Sequence, residues 1–223
     1  MTPTTDSMLL VQSAYDYLVE QITSSRIRTG ERLSENRIAT DLGISRTPVR
    51  EALQRLEQEG LVRRSGNARF TVAQPTTAEA EEACDLLILL DTYLATRASE
   101  RMTESQREEL LAAVENMEAA ARTQDRDAWA EADILFHRLL NSIAANALVS
   151  STVKETRRRV QRFWLQAPSM ESRLIECSQE HRDLTNAMIE RDNDAIAEAV
   201  EVHISHMRER VIELLRVTSV LFG

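Results

Sequence analysis

Residues that break helices are scarce in this chain. Five glycines and four prolines occur among 223 residues, and aromatic residues make up 4%. A β-sandwich or β-barrel needs frequent turns and strand-forming aromatics, whereas the abundant alanine, leucine, glutamate and arginine favour helices. The sequence therefore predicts a mostly α-helical protein, and no apolar run approaches the roughly 20 residues that a membrane-spanning helix requires.

The first 75 residues contain three short helical segments followed by two strand-like segments. Apolar residues at helical spacing, with capping serines and terminating glycines, predict helices near 7–25, 34–43 and 45–60. Alternating residues at 61–64 and 69–73 predict a β-hairpin around Gly66. This order is typical of a winged helix-turn-helix, so we expect a DNA-binding domain over residues 1–75.

Residues 76–223 carry helical signals throughout. We expect six helices, at 77–101, 104–122, 127–145, 148–166, 171–190 and 193–221. Thr103 and Gln106 have capping-box spacing, and Asp125 and Asp192 precede two other helices. Short connections between six helices predict a compact antiparallel bundle as the second domain.

Charge is divided unevenly between these segments. Residues 1–75 contain 10 arginines and 9 acidic residues, a net charge of +1, whereas residues 76–223 contain 17 basic and 27 acidic residues, a net charge of −10. The acidic bundle is unsuited to contact with polyanionic DNA, so we expect the two domains to have different partners.

The third helix of the N-terminal domain begins with side chains suited to DNA. Arg46 and Arg50 lie in its first turn and a half, where a guanidinium can donate two hydrogen bonds to guanine in the major groove. Thr47 and the helix N-terminus are suited to phosphate. The predicted hairpin adds Arg63, Arg64, Arg69 and Gly66. The alternative is that these arginines form an ordinary solvated helix face.

A candidate metal site lies in the bundle. Asp133 and His137 are four residues apart and project from one helix face, while His181, His203 and His206 lie on later helices. A carboxylate and imidazoles that converge from three helices are typical of a transition-metal site. Considered singly, each histidine is more often an ordinary core or surface residue.

Cys84 and Cys177 lie far apart without the spacing of metal ligands. We interpret them as buried thiols in a reducing cytosol. The N-terminus has no basic segment followed by an apolar one, so we expect no secretory signal and a cytoplasmic protein.

The N-terminal segment resembles the DNA-binding domain of the GntR family of bacterial transcriptional regulators. The residues that carry the resemblance are Leu33-Ser34-Glu35, Ile38-Ala39 and LGISRTPVREALQRLEQEGLV at 42–62. The resemblance covers roughly residues 8–75 and implies DNA contacts by Arg46, Thr47, Arg50 and Gly66. Relatives often have an arginine directly after the glutamate of the second helix, where this chain has Asn36; that contact is either lost or made by Arg37.

The C-terminal segment is similar to the FCD ligand-binding domain of the FadR subfamily, and its six helices match the shorter, VanR-like branch. The similarity is carried by Asp133-Ile-Leu-Phe136-His137, Ala145-Asn146-Ala-Leu148, Glu180-His181 and His203. Family members hold a divalent metal with one aspartate and three histidines. The resemblance therefore implies Zn or Ni bound by Asp133, His137, His181 and His203, with His206 as the substitute if the register differs.

One departure from the family pattern concerns the small-molecule effector. Many acid-sensing members have an arginine on the first bundle helix, three residues before Leu-Glu, where this chain has Leu87 before Leu90-Asp91. The effector is then less acidic or more apolar, or another arginine binds it. The candidates for that role lie near Trp164: Arg158, Arg159 and Arg162.

These observations predict a homodimeric transcriptional regulator that binds a short palindrome in double-stranded DNA. We expect a repressor that a small catabolic metabolite, with organic acids as candidates, releases from its operator. The alternative is a metal-dependent hydrolase with a DNA-binding appendage, using Glu180 as general base. Because no nucleophile motif such as GxSxG or HExxH is present, we expect no enzyme activity.

Overall fold

The chain divides into two compact units, residues 1–76 and 77–223. The computed structural model describes residues 5–23, 26–65, 69–73, 76–165 and 170–222, with their side chains except those of 5–7, 23, 65, 69, 159, 161–165, 170–172 and 217–222. Among the described residues, no helix is long and apolar enough to cross a membrane.

The first unit combines three helices with a three-stranded antiparallel sheet. Its elements are α1 (Thr5–Thr23), β1 (Arg32–Leu33), α2 (Glu35–Leu42), α3 (Arg46–Gln58), β2 (Val62–Ser65) and β3 (Arg69–Val72). The strand order is β1-β3-β2. The predicted winged helix-turn-helix is confirmed, and β1 is an addition: a two-residue strand is too short for an alternating pattern to reveal.

The core of this unit lies between α1, α3 and the sheet. Leu18, Ile22, Leu53, Leu56 and Phe70 are all at most 3% exposed. Gly43 ends α2 with φ 65°, a left-handed conformation that glycine adopts without strain, and so allows the short turn into α3. The packing of α1 and α2 on α3 holds the opposite face of α3 outward.

The second unit is the predicted bundle of six helices. They are α4 (Thr77–Arg101), α5 (Glu104–Thr123), α6 (Arg126–Ala144), α7 (Ala147–Leu165), α8 (Met170–Glu190) and α9 (Asn193–Phe222). No predicted helix boundary differs from these by more than one residue. Helix α4 packs on α6, α7 and α9, and α8 packs on α5 and α9.

Local signals account for the helix ends in the bundle. The Thr103 side chain accepts a hydrogen bond from the Gln106 amide, and the Gln106 side chain accepts one from the Thr103 amide, which is the predicted capping box. Helices α5, α6 and α8 are followed by non-glycine residues in the left-handed region, Gln124, Ala145 and Arg191. Such a residue costs about 1–2 kcal/mol, which the packing of the bundle must offset.

Candidate functional site

The exposed face of α3 carries the predicted DNA-contacting residues. Pro48, Val49, Ala52, Leu53 and Leu56 are buried on one side of the helix. Arg46, Thr47 and Arg50 lie on the other side and are exposed. The turn between α2 and α3 therefore presents the N-terminal half of α3 to solvent, as contact with a DNA groove requires.

Glu35, the first residue of α2, contacts both arginines. Arg50 donates to its carboxylate from Nε at 3.0 Å and from Nη2 at 2.7 Å. The Arg46 Nη2 atom lies 3.6 Å from the same carboxylate. The hydrogen bond from Arg50 is the largest influence on the pKa of Glu35 and holds that pKa below its usual value.

The other residues predicted to contact DNA lie outside α3, on α2 and in the predicted hairpin. The Arg37 side chain is 80% exposed and lies 4.0 Å from Asp41, whereas Asn36 lines the recess that holds Arg46 and Arg50. Arg64 donates to Glu57 at 3.0 Å. Gly66 and the side chain of Arg69 lie outside the described residues.

The bundle brings the four predicted metal ligands together. Asp133 and His137 lie on α6, His181 lies on α8 and His203 lies on α9. The Asp133 Oδ1 atom lies 3.4 Å from His137 Nε2 and 3.2 Å from His181 Nε2, and these two nitrogens are 3.5 Å apart. One ligand atom each of His137, His181 and His203 lies within 4.8 Å of the others.

Hydrogen bonds orient two of these imidazoles. The Nδ1–H of His181 donates to the backbone carbonyl of Cys177 at 2.8 Å. The Nδ1–H of His203 donates to Glu180 at 2.8 Å. In each ring the Nε2 lone pair is then available for a metal, an arrangement that is common around metal-binding histidines.

Burial and mutual contacts set the protonation of this cluster. Burial lowers the pKa of His137 to about 4, and the nearby Arg157 charge adds to the effect. Burial by itself would raise the pKa of Asp133, but His137 and His181 hold it well below the usual value. A neutral imidazole beside an ionised carboxylate is the form in which these groups bind metal.

His206 lies next to the cluster of predicted ligands but does not belong to it. His206 donates to Glu180 at 2.6 Å and its side chain is 42% exposed, so the structure groups His203 rather than His206 with the other ligands.

The sequence predicts that Cys177 is an ordinary buried thiol. It is free and buried, but its Sγ lies 3.8 Å from Nδ1 of both His181 and His203. Its position four residues before His181 was the signal that sequence reasoning missed.

A small cavity adjoins the cluster. Its volume is about 10 Å³, close to the room that one water molecule needs. The residues that line it include two predicted ligands, Asp133 and His203, together with Arg157, Arg173, Cys177 and Glu180.

Two buried arginines, which sequence reasoning did not single out, face this cavity. Arg157 is 7% exposed and pairs with Asp91 of α4, and Arg173 is 9% exposed and pairs with Glu176 and Glu180. The Nε atom of each is buried and has no hydrogen-bond acceptor within the described part of the chain. Both guanidinium groups therefore retain a donor for an anion.

Of the predicted candidates for an effector arginine, only Arg158 has a described side chain, and it does not line this cavity. Arg158 donates from Nε to the Lys154 carbonyl, and the side chains of Arg159, Arg162 and Trp164 lie outside the described residues. Leu87 is fully buried in the core. One turn further along α4, Asp91 holds Arg157 beside the cavity.

Comparisons with known proteins agree with this architecture. Residues 10–72 match the family described as "Bacterial regulatory proteins, gntR family", and residues 82–206 match the FCD domain. The HTH-type transcriptional repressor RspR of Escherichia coli K12 is 27% identical over 95% of this chain and 93% of its own. The Nta operon transcriptional regulator of Aminobacter aminovorans is 29% identical over 86% and 90%.

Solved structures share the fold. E. coli McbR/YncC matches 94% of this chain and 98% of its own with a TM-score of 0.77 at 20% identity. The metal-free FCD domain of TM0439 matches 65% of this chain and 99% of its own with a TM-score of 0.55 at 16% identity.

A winged helix-turn-helix joined to a ligand-binding bundle defines a two-domain bacterial transcriptional regulator. The chain belongs to the GntR family and, because its second domain is an FCD domain, fits the FadR subfamily. It is a ligand-responsive, DNA-binding transcriptional regulator. The hydrolase alternative is not supported, since the family and the named relatives are regulators.

We expect the buried Asp91–Arg157 pair to be important for stability. Replacing Asp91 with alanine leaves a buried guanidinium without its partner, which should lower the free energy of unfolding by about 3–5 kcal/mol in urea titrations. The double variant D91A/R157M removes both charges and should recover most of this loss.

Asp85 is a matched control on the same helix. It accepts from Arg208 at 2.6 Å, but its side chain is 67% exposed. Asp85→Ala should cost at most about 1 kcal/mol. Equal losses for Asp85→Ala and Asp91→Ala would show that burial does not set the importance of the Asp91–Arg157 pair.

Proposed function

We propose that this protein is a homodimeric repressor whose FCD domain binds a small carboxylate beside a divalent metal. The observation that carries the proposal is the cavity between Asp133, His203, Arg157 and Arg173, where two buried guanidinium groups retain an unused donor. Buried cations with free donors favour an anionic ligand, and arginine is particularly suited to carboxylates.

The residues of the cluster fit a divalent transition metal. Ligand atoms bonded at about 2.0–2.1 Å to one ion lie about 3.0–3.4 Å from each other. The distances of 3.2–3.5 Å among Asp133, His137 and His181 agree with this spacing. FCD domains bind metals in some structures, and the imidazole-rich donor set favours Zn or Ni. When bound, the ion would supply a Lewis-acid position for an oxygen of the effector.

The surrounding residues would perform the remaining tasks of the site. Glu180 orients His203 by accepting its Nδ1–H, and the Cys177 carbonyl does the same for His181. Arg157 and Arg173 would bind the effector carboxylate through their unused Nε–H groups. Because the cavity has room for about one water, entry of an acid requires these side chains to shift.

A shift of Arg157 would be transmitted to α4. Arg157 lies on α7 and is paired with Asp91 on α4. An effector carboxylate that competes for this guanidinium would weaken the link between the two helices. Since α4 is the first helix of the second unit and begins at Thr77, a change in its position would carry the response from the cavity to the DNA-binding unit.

Helix α4 also carries an apolar surface suited to dimer formation. Leu86, Leu89 and Tyr93 are 39%, 69% and 42% exposed, and their spacing of three and four residues places them on one side of the helix. Dimers are typical of the family. We assign this α4 stripe to contact with a second copy, which would pair two recognition helices on a palindromic operator.

The named relatives support repression as the direction of regulation. RspR of E. coli is a repressor, and so is the gluconate operon repressor of Bacillus subtilis, which is 32% identical over 58% of this chain and 53% of its own. The α3 residues Arg46, Thr47 and Arg50 would contact the operator, with Arg37 and Gly66 as further contacts.

Substitution of the α3 arginines should remove operator recognition. Arg46→Ala or Arg50→Ala deletes a guanine contact worth about 1–3 kcal/mol in each half-site, so operator affinity should fall by tenfold or more in gel-shift titrations. Arg122→Ala removes the same charge from an exposed position in α5 and should leave operator affinity unchanged within about twofold. Wild-type affinity in the Arg46 or Arg50 variant would contradict the assignment of α3.

Metal binding should depend on His181 and not on His206. After loading with Zn²⁺ or Ni²⁺ and dialysis, elemental analysis should find about one ion per wild-type chain, and His206→Ala should retain it. His181→Ala should weaken retention by tenfold or more. Chelation should leave operator binding within about threefold, because no predicted ligand belongs to the DNA-contacting face. Equal metal retention by both variants would refute the assigned ligand set.

A charge in the α4 stripe should dissociate the dimer. Leu89→Glu would place a carboxylate in the apolar contact, and analytical ultracentrifugation should then detect monomers at micromolar concentration. Leu148 of α7 is 78% exposed and provides the control, since Leu148→Glu should sediment as the wild type does. A Leu89→Glu protein that remains dimeric would exclude this stripe as the interface.

A further inference from the structure

We infer that Glu35 is a specificity-determining residue, because its carboxylate fixes which edge of the Arg50 guanidinium can be presented to a base. The inference rests on the proposed role of α3 as the recognition helix. Glu35 itself needs no contact with DNA for this role, since it acts by positioning the two arginines.

The Glu35 carboxylate occupies one edge of the Arg50 guanidinium. Its Nε lies 3.0 and 3.2 Å from the two carboxylate oxygens of Glu35, and its Nη2 lies 2.7 Å from Oε2. A guanidinium is planar and presents its donors in a rigid fork, so a carboxylate on the Nε/Nη2 edge leaves the Nη1/Nη2 edge for another partner. Guanine O6 and N7 form such a two-acceptor partner.

The depth of the three side chains leaves this second edge accessible. Glu35 is 16% exposed at the side chain, whereas Arg50 and Arg46 are 52% and 59% exposed. The carboxylate therefore lies at the base of the recess and the guanidinium groups lie at its rim. DNA can reach the outer edge of Arg50 without displacing Glu35.

The backbone holds Glu35 firmly in this position. Ser34 caps α2 by accepting a hydrogen bond from the Arg37 amide, and Ile38 and Ala39 anchor the helix in the core. Glu35 lies in the first turn of α2, where the helix dipole favours a carboxylate. The arginines are thereby oriented before DNA binds, which reduces the conformational entropy lost on binding.

The same carboxylate weakens binding to incorrect sequences. Phosphate contacts provide affinity without sequence information, and they depend on unpaired positive charge. Glu35 offsets the charge of Arg46 and Arg50, so these side chains gain more from a matching guanine than from any phosphate. Loss of Glu35 should therefore increase affinity for unrelated DNA and reduce discrimination together.

The test compares Glu35→Gln and Glu35→Asp with the wild type and with Asp16→Asn. Asp16 is exposed on α1 and accepts from Gln12 at 2.7 Å, so its substitution removes one negative charge from the same unit but from a different helix than Glu35, Arg46 and Arg50. The probes are the duplex that the wild type selects from random-sequence DNA and a scrambled duplex of equal composition. The measured quantity is the ratio of the two dissociation constants, with circular dichroism and thermal melting as checks of folding.

We expect the ratio to fall by fivefold or more in Glu35→Gln, since one bidentate guanine contact is worth about 5- to 150-fold in discrimination. Glu35→Asp keeps the charge but has a shorter reach, and the ratio should fall there too. Asp16→Asn should leave the ratio unchanged. In an Arg50→Ala background, Glu35→Gln should lower the ratio much less than in the wild type, because most of its effect passes through the contact with Arg50.

Two results would overturn the inference. A parallel rise in affinity for both duplexes in Glu35→Gln would mean that Glu35 contributes only bulk charge. Full discrimination in a folded Glu35→Asp protein would mean that edge geometry has no role. If the wild type selects no sequence, or if Arg46→Ala and Arg50→Ala bind the selected duplex normally, the proposed function fails instead.

Discussion

A carboxylate buried inside a helical bundle needs hydrogen bonds or a bound cation to compensate its charge, and Asp133 sets this requirement at the centre of the second unit. It is 3% exposed and lies within 3.4 Å of imidazole nitrogens from its own helix and from α8. Because an uncompensated buried charge costs several kcal/mol, α6 and α8 must keep a fixed register. The same register brings three of the predicted metal ligands together, namely Asp133, His137 and His181.

The buried arginines extend this network beyond the metal ligands. Arg157 links α7 to Asp91 of α4, and Arg173 is paired with Glu180, which in turn orients His203. Each guanidinium is thus neutralised by a carboxylate while one donor is left unused. An anionic effector would enter a site that is already organised for it and would compete with the internal carboxylates for the same cations. Under the proposed function, this competition would link ligand binding to helix position.

The first unit also contains a carboxylate–guanidinium pair, but this pair lies near the surface. Glu35 holds Arg50 by accepting hydrogen bonds from its Nε and Nη2 atoms, but both arginines beside it are more than half exposed. Ion pairs at such positions contribute at most about 1 kcal/mol to stability because water screens them. The Glu35–Arg50 pair therefore orients donors more than it stabilises the fold, whereas the buried Asp91–Arg157 pair can do both.

Sequence reasoning predicted the elements well because their signals are local. Helical periodicity and caps such as Thr103 and Asp125 located every bundle helix within one residue. The i,i+4 spacing placed Asp133 and His137 on one face. His181 and His203 could be grouped with them only by family resemblance, since their convergence depends on how α6, α8 and α9 are arranged in the bundle.

The buried arginine of α7 could not be identified from local sequence signals. Arg157, Arg158 and Arg159 are consecutive in the sequence, and successive positions of a helix lie about 100° apart around its axis. No local signal in this run shows that Arg157 is buried, because its burial is coupled to the ion pair with Asp91, which lies 66 residues earlier. Asp91 in turn is one helical turn from Leu87, where relatives were expected to carry an arginine. The cation beside the cavity therefore comes from α7, and a carboxylate on α4 holds it there. This arrangement can be recognised only when the packing of both helices is known.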